Sequence, residues 1–193
     1  MKKKKILITI GVITILSCIY FSFFYAYHGK VIDADTKQPI GGAVVVASWI
    51  GERGGLPAGG TSRLKNIKET LTDKNGEWKV RGARGIEGDI MENIMTIITL
   101  LIGTYYTKPP TFIIFKPGYC SYPAGFGIDA CKETMRPFGV GQGEATKLLK
   151  LTNREDRLRA LPSRVSGYGA DEKQKEFIRL LNEERRYLGL EEY

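Results

Sequence analysis

The sequence predicts a mainly β chain: a small antiparallel β-sandwich with an inserted amphipathic helix, an N-terminal transmembrane helix and a C-terminal helical appendage. Three observations carry this. An uncharged, largely apolar run covers residues 6–27; four turn-bearing stretches follow in order; and helical periodicity appears at 89–102 and again after 153. The expected division is an anchor or signal segment at 1–27, the sandwich at 28–152 and the appendage at 153–193.

The first segment begins with Lys2, Lys3, Lys4 and Lys5, and the next 22 residues carry no charge. As a helix they would span about 33 Å against a hydrocarbon core of about 30 Å. The lysines favour the cytoplasmic side, and Tyr20, Phe21, Phe23, Phe24, Tyr25 and Tyr27 suit the far headgroup level. The globular part is therefore expected outside the cytoplasm, on a single-pass anchor. Two alternatives stay open. A cleaved signal peptide would want a small-x-small site, and Phe24-Tyr25-Ala26 puts the ring of Phe24 where the first small residue belongs. A lipoprotein would be lipidated at Cys18, after Ile15-Leu16-Ser17, although Leu16 is bulkier than usual there.

The stretches that define the sandwich are Gly29-Lys30-Val31-Ile32-Asp33, the run from Pro39 to Val46, the run from Glu69 to Trp78, and Phe115-Lys116-Pro117-Gly118-Tyr119. The first strand ends in a polar turn cluster closed by Pro39, which fixes φ. Residues 43–50 are valine-rich and almost wholly apolar, the pattern of a strand covered on both faces. The glycine-rich residues 51–63 read as a long connection, a candidate recognition loop without the spacing of a phosphate loop. Asp73-Lys74-Asn75-Gly76 supplies short polar side chains and a glycine suited to φ > 0, so it predicts a tight hairpin. Ile67 and Leu71 would share one face of the incoming strand. Trp78 and Val80 would be buried on the outgoing one, with Glu77, Lys79 and Arg81 outside.

Between 89 and 103 the period changes to i, i+3, i+4. Asp89 and Glu92 are placed as a capping box and Gly103 as the stop, giving a helix too short to span a bilayer. It either covers an open part of the sandwich or docks on a partner or a membrane surface. Strands are expected again at 111–116 and 145–151, with a structural turn at Pro117 and Gly118. Helices are expected at 153–160 and 171–188, the last with Phe177, Ile178, Leu181 and Leu188 on one face.

In an oxidising compartment Cys120 and Cys131 can close a loop as a disulfide. Two separate thiols are the alternative, and the only histidine, His28, gives zinc little support. The net charge of +8 points weakly to nucleic acid. Four of the 29 basic residues are the N-terminal lysines, and the remainder carries only +4, so no nucleic-acid partner is expected.

The residues Gly29, Asp33, Thr36, Pro39, Gly42, Ala43 and Val45, then Glu69-Thr70, Thr72-Asp73 and Gly76, and finally Lys116-Pro117-Gly118-Tyr119, resemble the carboxypeptidase regulatory-like domain. The resemblance covers about residues 28–151 and implies a transthyretin-like β-sandwich. It also implies an accessory module, since in metallocarboxypeptidases this domain holds none of the zinc ligands. A similar sandwich, the collagen-binding B module of adhesins and pilins, would make Lys30 and Asn153 candidates for an isopeptide bond.

A catalytic zinc wants two or three histidines, and a Ser-His-Asp site wants its histidine in a cleft, whereas His28 abuts the apolar segment. Glu69, Asp73 and Glu77 surround one turn and read as solvated turn formers. Asp33 with Asp35, or Asp73 with Asn75, falls short of a calcium loop. The expectation is thus a non-enzymatic binding or assembly module of the cell envelope, with no metal or cofactor. Its partners would be the membrane and an envelope protein or polysaccharide. The alternative is an accessory subunit that positions a separate enzyme.

Overall fold

The computed structural model describes residues 6, 9–13, 25–54, 60–124, 131, 140–167 and 169–193. The chain runs β1 (Tyr25–Asp33), β2 (Val44–Arg53), β3 (Thr61–Leu71), β4 (Glu77–Gly82), α1 (Asp89–Ile102), β5 (Tyr106–Thr107), β6 (Thr111–Phe115), β7 (Gln142–Leu148) and α2 (Arg154–Arg159). A 3-10 turn (Asp171–Lys173) then leads into α3 (Lys175–Tyr187). One sheet has the order β4-β1-β7. The other is built on β2, with β3 along one edge and both β5 and β6 along the other.

The valine run is buried on both faces because β2 lies between two cores. Val45, Ala47 and Trp49 join Phe112 and Ile114 in facing Tyr27, Val31, Trp78, Val80 and Leu148 of the other sheet. On the reverse face Val44, Val46, Ile67 and Phe115 pack under Phe177, Leu180 and Leu181 of α3. The layers are therefore sheet, sheet and helix. A fully buried side chain of this size stabilises the fold by about 1.5–3 kcal/mol, so α3 is held by the same force that joins the sheets.

The sheets are not wholly antiparallel, as the sequence led us to expect, since β1 and β7 run parallel. Parallel neighbours need a long crossover, and the chain between Asp33 and Gln142, which includes the whole of the other sheet, supplies it.

The turn at 73–76 also joins different partners from those expected. Asp73 Oδ1 accepts from the amides of Asn75 and Glu77, both at 2.8 Å, and Gly76 has φ +74°. The turn forms, but β3 pairs with β2 and β4 pairs with β1. Thr72 is tied to the β2 side through Ala43 N–H donating to its Oγ1 at 2.9 Å, while Val31 N–H donates to Gly76 O at 2.8 Å. A Cβ on Gly76 would stand 2.3 Å from Val31 O, so this crossing needs glycine. The strands part because their apolar residues serve different cores: Ile67 faces α3, whereas Trp78 and Val80 face the space between the sheets. Leu71, expected to share the face of Ile67, is exposed.

The long hairpin is instead β2–β3. Gly51, Glu52 and Arg53 pair with Arg63, Ser62 and Thr61, so both ends of the expected 51–63 connection are strand. Residues 55–59 fall outside the described ones.

β1 begins at Tyr25, earlier than expected. Tyr27 is consequently not a headgroup-level ring. It is 6% exposed, edge-on to Phe112 at 5.5 Å, and its hydroxyl donates to Arg84 O at 2.7 Å. Most of the expected 1–27 anchor, including Cys18, lies outside the described residues; residues 6 and 9–13 are helical. Among the described residues no helix is long and apolar enough to cross a membrane.

The C-terminal helices are bolted on by polar contacts. Glu69 of β3 accepts from the amides of Glu176 and Phe177 at 2.9 and 3.0 Å, capping α3, which has no side-chain cap of its own. Glu184, 2% exposed, accepts from Arg157 Nε and Nη2 at 2.7 and 2.6 Å and from Gly118 N–H at 3.0 Å. One carboxylate thus joins α2, α3 and the turn at Pro117 and Gly118.

Candidate functional site

The end of the sandwich where β1 begins gathers most of what departs from a plain two-sheet scaffold. Tyr25 pairs with Gly82 at the end of β4. Residues 83–88 lead from there into α1, held by Trp49 Nε1 donating to Ala83 O at 2.7 Å and Ile86 N–H donating to Thr107 O at 2.8 Å. Arg53, Arg63, Lys65 and Arg84 are exposed at this end. The guanidinium of Arg63 lies 4.5 Å over the ring of Tyr105, and that of Arg84 lies 5.3 Å over Tyr25.

Helix α1 starts at Asp89 after Gly88 (φ 101°), without a side-chain cap, so the expected capping box does not form. Asp89 already stands inside the first turn, where its charge acts only through the helix dipole. Gly103 ends the helix in the left-handed conformation, its N–H donating to Thr99 O at 2.8 Å, as the sequence predicted.

The orientation of α1 is the informative part. Thr99 is its one buried residue; Glu92, Met95 and Thr96 are half-buried beside it. These positions fall on one side of a 3.6-residue helix, and that side packs on the sandwich. Gly54 N–H donates to Thr99 Oγ1 at 3.2 Å, and a Cβ on Gly54 would stand 2.3 Å from Thr96 Cγ2. Tyr106 donates to Glu52 at 3.4 Å, and Lys108 pairs with Glu52 at 3.0 Å. The hydrogen bond to Glu52 raises the pKa of Lys108 above its ordinary value, so the lysine stays charged. The apolar arc of α1 points the other way and is exposed, with Ile90 at 77% and Leu101 at 80%. Of the expected alternatives, covering the sandwich with the apolar face is the one the geometry rejects.

The described parts of residues 51–63 and α1 therefore meet at one end. The described part of the cysteine loop lies elsewhere. Cys120 follows β6, whose Phe115 pairs with Val44 at the opposite end of β2. Cys120 and Cys131 form the expected disulfide, with a Cα–Cα distance of 5.9 Å, and both are buried against Leu151 and Ala160. Pro117 and Gly118 form the expected turn: Tyr119 N–H donates to Lys116 O at 3.1 Å and Gly118 has φ +81°. Asn153 caps α2 by accepting from Glu155 N–H at 2.9 Å. Lys30 pairs with Ala145 in mid-sheet.

An open cleft of about 640 Å³ lies on the β4-β1-β7 sheet and is lined by His28, Lys30, Asp73, Glu77, Trp78 and Lys79. His28 thus sits in a strand and lines a cleft, where the sequence had suggested no cleft. Asp73 spends Oδ1 on its own turn. Among the described residues no three His, Cys, Asp or Glu side chains gather into a metal-binding group.

Asp33 is a turn former as well, its Oδ1 accepting from the amides of Asp35 and Thr36 at 2.9 Å each. The Thr36 amide, foremost, holds its carboxyl below the usual carboxylate range. A depressed folded pKa contributes stability above the unfolded value of about 3.9, and that contribution is lost as the pH falls through the folded pKa. The urea midpoint of the full chain should therefore drop below about pH 4, and Asp33→Asn should flatten this dependence. An unchanged slope in the variant would assign the acid sensitivity elsewhere.

No family model matches the chain, and no curated protein does. Among solved structures it is similar to catechol 1,2-dioxygenase of Acinetobacter radioresistens. The wild-type enzyme matches at 15% identity and TM-score 0.35, and two single-residue mutants match at 15% and 14% identity and TM-score 0.34. Each match covers 76% of this chain and 56% of the enzyme chain, so the chain spans little more than half the length of the structures it matches. These matched structures are enzymes, which withdraws the expectation that the chain is not one. At such TM-scores the likeness assigns no activity.

Proposed function

We propose that the chain is a membrane-tethered, extracytoplasmic binding or assembly module of a bacterial-type envelope, built on a sandwich of the carboxypeptidase regulatory-like, transthyretin-like kind. The observation that carries this reading is the junction at Tyr25. Residues 6–24 are uncharged, and β1 follows them with no polar linker, so a bilayer holding the run brings the sandwich to its surface. Four lysines before the run favour keeping that end cytoplasmic. The Cys120–Cys131 disulfide suits an oxidising compartment on the other side. The order of turns at Asp33, Gly42, Asp73, Gly76 and Gly118 supports the family reading. An envelope protein or polysaccharide is the partner proposed, with contacts from residues 51–63, α1 and the disulfide loop.

Alkaline carbonate washing of membranes tests the tether, and affinity purification of the full chain from detergent tests the binding role. Retention in the membrane and co-purification of a stoichiometric envelope protein or polysaccharide are expected. Release by carbonate contradicts the tether, and a bare monomer contradicts the binding role. The mass of the N-terminal peptide separates a spanning anchor, with Met1 or Lys2 intact, from acylation at Cys18.

A further inference from the structure

We propose that α1 lies flat on the membrane surface as a second, interfacial contact, with its exposed apolar arc inserted among the lipid headgroups and upper acyl chains. This rests on the tether reading above. It is carried by two independent features, the inverted orientation of the helix and its place beside the chain's exit from the apolar run.

Ile90, Met91, Ile94, Ile97, Ile98 and Leu101 form one continuous outward arc of a 14-residue helix, each at least 38% exposed. A surface helix of a water-soluble domain turns such an arc inward. Here Thr99 accepting from Gly54 N–H, and the close fit of Thr96 against Gly54, lock the polar side inward and leave the arc facing out. A contiguous apolar patch of this kind marks a contact surface.

The occupant follows from where the chain leaves the sandwich. Tyr25 pairs with Gly82, and only residues 83–88 separate Gly82 from α1, so the exit point and the helix share one end of the fold. Since the uncharged run reaches Tyr25 without a polar spacer, the bilayer that accepts the run meets this end. At about 21 Å, α1 is too short to cross and has the length of an in-plane contact. Tyr105, just beyond Gly103, and the exposed Arg53, Arg63, Lys65 and Arg84 at the same end suit the headgroup layer.

The test uses the full chain reconstituted into phosphatidylethanolamine and phosphatidylglycerol vesicles, comparing Ile97→Trp with Leu71→Trp. Leu71 is an exposed residue at the opposite end of β3, and emission is read as the difference from the parent, whose Trp49 and Trp78 are buried. The expected result is a blue-shifted signal from position 97 that is lost when the acyl chains carry bromine, and a signal from position 71 that is lost only to aqueous acrylamide. If position 97 is untouched by brominated lipid, whether it is open to acrylamide or shielded by another protein surface, the placement of α1 is overturned. A chain that stays in carbonate-washed membranes yet shows that result loses this inference alone; a chain released by carbonate loses the tether reading and this inference with it.

Discussion

Glu184→Ala should destabilise the protein by about 3–5 kcal/mol, the range for removing one partner of a buried ion pair. Glu184 is 2% exposed, and its carboxylate accepts from Arg157 Nε and Nη2 together with Gly118 N–H. Its loss leaves a guanidinium in a site with little solvent and an amide without its acceptor. The Arg157 guanidinium also stacks 3.7 Å from the ring centroid of Tyr187, so the partner is held in place and cannot easily swing into water. Urea denaturation of the full chain, followed by Trp49 and Trp78 emission, reads the effect in the sandwich itself. The double change Arg157→Leu with Glu184→Leu should recover much of the loss, because no charge is then stranded. A loss below about 1 kcal/mol for Glu184→Ala would reduce the contact to an ordinary surface pair.

Phe177→Ala should cost about 3–5 kcal/mol, the range for deleting a buried aromatic ring from a core that cannot close over the space. Phe177 has no exposed surface, meets Phe115 edge-on at 6.1 Å and packs on Val44 and Val46 of β2. The result distinguishes an integral third layer from a loosely attached tail. If α3 is integral, unfolding stays a single transition and its midpoint falls. If Phe177→Ala left the tryptophan transition in place while helical signal melted earlier, the three-layer description would be wrong.

Local signals in the sequence were reliable where one residue determines the geometry. The turns at Asp73, Gly76 and Gly118 and the stop at Gly103 all rest on backbone positions that need a particular side chain, or none. The twofold burial of β2 was also legible, because a strand without polar alternation has no face to offer water. Pairing was not. Asp73-Lys74-Asn75-Gly76 looks the same whether its strands pair with each other or part into two sheets, and that choice is made by Val31 and Ala43, far away in sequence. Nor does periodicity say which way an amphipathic helix faces: the arc of α1 was visible, but its outward direction depends on Gly54. Glu184 was missed, although it continues the buried stripe of Phe177 and Leu181, where a lone carboxylate signals a buried partner.

In the proposed reading the apolar run holds the sandwich on the outer side of a membrane. A peptide tag appended after Tyr193 and probed with an antibody on spheroplasts decides this. Binding to intact spheroplasts, with no gain on permeabilisation, is the expected result. Binding that appears only after permeabilisation would put the domain on the cytoplasmic side and contradict the account.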